Sequence, residues 1–155
     1  MSRIIATIVM LAWALWFGGM IALMIFVIRL FNTSREIGIA TAPILFRSFA
    51  NYQIAIGLLA AGAGTFLTLI TRRNAHAILS LLMIVTLAAA IVVRGWTFEM
   101  ERLRLSGQLQ SVRFQSLHNR SSMLYSSEAI LLLIAGVGWM LTFPPPRRAD
   151  EIAAA

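Results

Sequence analysis

Cysteine is absent from all 155 residues, which removes disulfides, thiolate metal sites, thiol redox chemistry and iron–sulfur clusters together. Charge is scarce as well: 12% of residues are charged and 59% are apolar, against about a quarter charged in an ordinary soluble domain. A composition of that kind excludes a soluble globular protein. Two histidines and six carboxylates are all that remain for acid–base or metal chemistry. The net charge is +7, and all thirteen basic residues are arginines. They are scattered between long apolar runs and form no groove or stripe, so nucleic acid is not the partner they suit. Anionic lipid headgroups are.

What the chain has in abundance is uninterrupted apolar sequence. Ile4 to Ile28 contains no charge and is bounded by Arg3 and Arg29. As a helix it reaches about 37 Å, enough to cross a hydrocarbon core of about 30 Å with some tilt. It is far longer than the apolar part of a signal peptide, and no A-x-A cleavage site follows, so a retained helix is expected. Ser48–Thr71 and Asn74–Val93 are the next charge-free stretches, with only Arg72 and Arg73 between them; they predict a tight antiparallel hairpin. A fourth stretch from about Ser122 to Phe143 carries one carboxylate, Glu128, before Pro144, Pro145 and Pro146 forbid further helix. The reading is an all-α, four-span antiparallel bundle in a single domain, with spans at about 4–30, 48–71, 74–95 and 121–143. Residues 144–155 form a short Pro-rich tail.

The connections after spans one and three are themselves helix-prone. Thr33-Ser34-Arg35-Glu36 has capping-box spacing, with Thr33 as the expected N-cap and Glu36 as its return partner. Glu99/Arg102 and Glu101/Arg104 stand at i,i+3 and support a helical turn beyond span three. Ser106-Gly107 then breaks it, and helix resumes from Gln108. Helices two, three and four are thus expected to project beyond one face of the bilayer. Those connections hold eight arginines (29, 35, 47, 94, 102, 104, 113 and 120) against five on the other side. The excess of basic residues places the eight in the cytoplasm of a bacterial inner membrane, with both termini outside.

Without an aqueous driving force, helices in lipid associate through small residues. Gly57, Ala61, Gly64 and Thr68 form such a stripe, Gly18, Gly19 and Ala22 a second, and Ala88, Ala89 and Ala90 a third. On span four, Phe114, His118, Ser121, Tyr125, Glu128, Leu132, Ala135 and Trp139 alternate by four and three, as in a bundle seam. Glu128 in lipid costs about 2.5 kcal/mol or more, so it should face protein, water or a cation, and Arg94 and Arg47 are the partners nominated on its side. Trp96 and Trp139 fit a headgroup belt, whereas Trp13 and Trp16 sit midspan, where core filling competes with lining a cavity. Met20 and Met24 lack a nearby histidine and make a poor copper site.

No cofactor or metal is expected. His76 and His118 belong to opposite membrane faces and cannot together hold one haem. No H-E-x-x-H, G-x-S-x-G or P-loop pattern is present. Trp16-Phe17-Gly18-Gly19, Leu30-Phe31, Leu45-Phe46-Arg47-Ser48-Phe49, Arg94-Gly95-Trp96 and Phe114 with Leu117-His118 and Ser121-Ser122 together resemble the transmembrane protein 205-like family over about Leu11 to Trp139. That resemblance implies a four-span architecture and a set of polar positions, and it supplies no reaction. The first functional expectation is a non-enzymatic membrane protein whose polar rim, Arg47, Asn51, Arg94, His118, Tyr125 and Glu128, binds a small polar ligand, an ion or a lipid headgroup. The alternatives are an accessory subunit of a larger membrane complex and a membrane enzyme using haem or quinone.

Overall fold

The computed structural model describes residues 2–142; the expected Pro-rich tail lies outside the described residues. Four helices follow one another: α1 (Ser2–Thr33), α2 (Arg35–Thr71), α3 (Asn74–Leu105) and α4 (Val112–Thr142). Each packs on its neighbours in sequence, and α1 closes the bundle against α4 by a smaller contact. All four are long and apolar enough to cross a membrane. The chain is therefore an all-α four-helix bundle and an integral membrane protein. Lipid offers no hydrogen bonds, and the span hydroxyls turn back onto their own helices: Thr65, Thr71 and Thr86 each donate to the carbonyl four residues earlier at 2.8 Å.

The turns follow from backbone chemistry. At the α2–α3 hairpin, Arg72 takes the left-handed conformation with φ 50° and returns its N–H to the Thr68 carbonyl. After α3, Ser106 caps the helix and Gly107 supplies φ +75°, as the Ser-Gly break predicts. The resumption is later than expected: helix begins at Val112, after Ser111 accepts the Phe114 N–H at 3.2 Å. Between α1 and α2 the cap lies one residue further on than the capping box indicates. Thr33 remains in α1 with its hydroxyl on the Arg29 carbonyl, and Ser34 is the N-cap, accepting from the Ile37 N–H. One extended residue reverses the chain. The reversal is tight enough for the Phe31 ring to occupy the place a Cβ of Gly38 would take.

Helical continuation past the apolar stretches is as expected. α2 runs unbroken from Arg35 into its span, through Pro43, and α3 continues past Arg94 to Leu105. The ion pairing differs from the local spacing. Glu101 pairs with Arg104 at 2.8 Å, but Glu99 reaches across to Arg113 of α4 at 2.6 Å instead of to Arg102.

Small residues set the close approaches. A Cβ on Gly57 would meet Leu87 and Trp16, and one on Gly64 would meet Ser80, whose hydroxyl also hydrogen-bonds Thr68 at 3.0 Å. The other two stripes are only partly used: Gly18 faces open space and Ala88 is exposed, while Ala90 is fully buried. Trp13 and Trp16 pack into the core and line neither of the two cavities described below. Trp139 is not a headgroup-belt residue; it is fully buried, tilted against His76 with ring centroids 5.1 Å apart. Met20 is buried and Met24 exposed, and both line the inner of the two cavities without a histidine within a turn of either in sequence.

Candidate functional site

Glu128 projects from the middle of α4 into the bundle and is 0% exposed. Its depth follows from packing: Gly138 lies against Leu79, itself five residues into α3, and Glu128 is ten residues further along α4. At 1.5 Å per residue this puts the carboxyl roughly 22 Å from the hairpin end of an about 30 Å core. It thus lies nearer the end where α2, α3 and α4 continue past their apolar stretches.

The expected arginine partner is overturned. Arg94 donates its Nε to Asn51 Oδ1 at 3.0 Å and lies over the Phe98 ring at 4.9 Å, while Arg47 stands over the same ring at 5.2 Å. Both guanidinium groups snorkel outward along Phe98, which costs less desolvation than turning inward. Glu128 is held by Gln53 of α2, also 0% exposed, whose Nε2 donates to Oε2 at 3.1 Å. Glu128 Oε1 and Gln53 Oε1 have no hydrogen-bond partner among the described residues. One turn back on α4, the Tyr125 hydroxyl is buried close to Thr97 and Glu128 without a hydrogen bond of good geometry. The Thr97 hydroxyl itself donates to the Val93 carbonyl at 2.9 Å.

The seam of α4 runs through Ser121, Glu128, Leu132, Ala135 and Trp139, all buried, as its spacing predicts. At the outer end it passes through Leu117 and leaves His118 exposed, stacked parallel on Phe114 at 6.4 Å. His118 instead borders two adjoining cavities. One, about 490 Å³, lies between α1 and α4 with walls from Met20, Leu23, Phe49 and Ala129, and Tyr125, Ser121 and Ser126 among its polar lining. The other, about 560 Å³, continues beyond it between Phe31, Ala42, Pro43, Phe98 and Phe114, where Arg47, Glu101 and Arg104 also line it. Phe46, Thr97, Met100, His118 and Ser122 belong to both.

The six expected rim residues therefore separate. Asn51 and Arg94 form an exposed pair lining neither cavity, Arg47 and His118 border the groove, Tyr125 forms part of its inner wall, and Glu128 lies behind that wall with Gln53. Gln53, Thr97 and Arg104 are additions. Gln53 had a sequence signal: it is a strongly polar side chain within an otherwise apolar span, which lipid tolerates only if it faces protein. Among the described residues no group of three histidine, cysteine or carboxylate side chains converges on a metal position.

No protein-family model, curated protein or solved structure matches the chain.

Proposed function

We propose that this protein is a non-enzymatic binder of an anionic membrane amphiphile, taken up with its tail between α1 and α4 and its headgroup at Arg47 and His118. One observation carries the reading. The two cavities make a continuous groove whose walls are mostly apolar side chains and whose outer end alone carries arginines, Arg47 and the Glu101-paired Arg104. Its inner part borders the membrane-embedded halves of α1 and α4, which touch near Trp13 and Leu132 and stand apart above them. An acyl chain in the adjacent leaflet already has that environment, so moving it into the groove carries little desolvation cost. The headgroup contributes charge attraction of about 1 kcal/mol per arginine near the surface. The arginine excess at this end supports a cytoplasmic position in a bacterial inner membrane, with both termini outside.

The test is lipid retention by the purified protein in native mass spectrometry, with phosphatidylglycerol and phosphatidylethanolamine as probes. Phosphatidylglycerol is retained preferentially, Arg47→Ala lessens the preference, and Ala129→Trp, which fills the groove, abolishes retention. Equal retention of both lipids, unaltered by Ala129→Trp, overturns the reading.

A second reading, an accessory subunit of a larger membrane complex, draws on a different feature. Leu105 and Val112 flank the connection that projects beyond α3 and are 73% and 85% exposed. Apolar side chains so open at the polar end suit a partner surface. Purification in several mild detergents that yields the isolated chain each time counts against it.

A further inference from the structure

We infer that Glu128, clamped by Gln53 behind the groove wall, is a proton-binding site that exchanges with the polar end of the bundle past Tyr125 and Ser121, which line the groove. The argument starts from the polarity of what is missing. Gln53 Oε1 and Glu128 Oε1 are both acceptors, both fully buried, and neither has a donor among the described residues. The pair therefore lacks positive charge or an O–H group, and a proton on the carboxyl supplies it by turning Glu128 Oε1 from acceptor to donor. A hard metal cation answers the same need less well, because such ions gather about six oxygens. Here the free oxygens are those of one carboxyl and one carboxamide, with the Tyr125 hydroxyl nearby.

No other charge competes for the site. From α2 the facing group is Gln53, and from α4 the only titratable neighbour is Tyr125. α1 carries charge only at Arg3 and Arg29, near its ends. On α3, His76 is at the opposite end of the bundle on Thr71 and Trp139, and Arg94 is committed to Asn51 and Phe98. The exchange route lies along one face of α4. Tyr125 and Ser121 stand one and two turns outward from Glu128, each with an oxygen that has no hydrogen-bond partner among the described residues, and both line the cavity that His118 borders. Hydroxyls at that spacing, about 5–6 Å per turn, with space beside them suit a hydrated relay between the carboxyl and the exterior.

Infrared difference spectra of the full chain in phosphatidylcholine vesicles, recorded across a pH series in potassium buffer, read the site directly. A protonated-carboxyl carbonyl band is expected that vanishes as pH rises and is missing in Glu128→Gln, which keeps the side-chain shape and a hydrogen bond to Gln53. Tyr125→Phe retains the band and slows its shift on transfer to deuterium oxide. Should Glu128→Gln fail to fold, the wild-type protein still decides through labelling by dicyclohexylcarbodiimide, which adds to the protonated form of a carboxyl. Modification located at Glu128 then falls about tenfold per pH unit once the group ionises. The absence of any pH-dependent carboxyl band assignable to Glu128 overturns the inference. So does protection from the carbodiimide by sodium at constant pH, which would make the site one for a metal cation.

Discussion

Trp13 donates its indole N–H to the Leu132 carbonyl at 2.6 Å, and its ring lies where a side chain on Gly136, one turn along α4, would have to go. This contact fastens α1 to α4 at the inner end of the bundle, and the groove opens above it. Gly136→Ala should accordingly push a rigid ring aside, costing about 1–3 kcal/mol as overpacking does. Equilibrium unfolding in mixed micelles checks this; wild-type stability for Gly136→Ala would mean that the ring is not so placed. Gly18→Ala is the control, since its Cβ meets nothing within 4 Å.

Gln53→Leu should be among the more damaging single changes in α2. It removes the one donor to Glu128 and leaves a buried polar group unsatisfied, a penalty of about 1–3 kcal/mol. Replacing both residues by leucine should cost less than Gln53→Leu and Glu128→Leu added together, because neither polar group is then left behind. Strict additivity in the double-mutant cycle would show that the two side chains do not interact.

The Glu99–Arg113 pair makes the opposite prediction. Both partners are substantially open to water, with side-chain exposures of 36% and 68%. Glu99→Gln should change stability by less than about 1 kcal/mol, and raising salt should shrink the difference further. A larger loss would indicate that this pair sets the position of α4.

Cysteine mapping tests the proposed orientation, since any cysteine introduced is the chain's only one. Ser111→Cys should stay unlabelled by a membrane-impermeant maleimide in intact cells and react once the inner membrane is opened. Ser2→Cys should react without that step. The reverse pattern would invert the protein in the membrane.

What the sequence made legible and what it hid divide along physical lines. Spans are visible because lipid tolerates so little charge; the interval from Asn74 to Val93 nearly delimits itself. Continuation of α2 and α3 past the bilayer was also readable, from local spacing and the Ser106-Gly107 break. Contacts distant in sequence were not. Glu99 has Arg102 one turn away, yet it meets Arg113, because the α3–α4 connection brings that guanidinium closer. The pairing of Glu128 with Gln53 spans 75 positions. No arginine takes that place, because Arg47 and Arg94 keep their hydration by lying along Phe98. At His118 the ambiguity is helical: a seam of alternating three and four passes equally well through Leu117, and burial of the less polar residue decides it.

The thirteen basic side chains, all arginine, carry a consequence for the environments this protein tolerates. Acetylation of a lysine removes its charge, and a guanidinium is not open to that reaction. Surroundings rich in acylating agents therefore leave all of the chain's positive side chains in place.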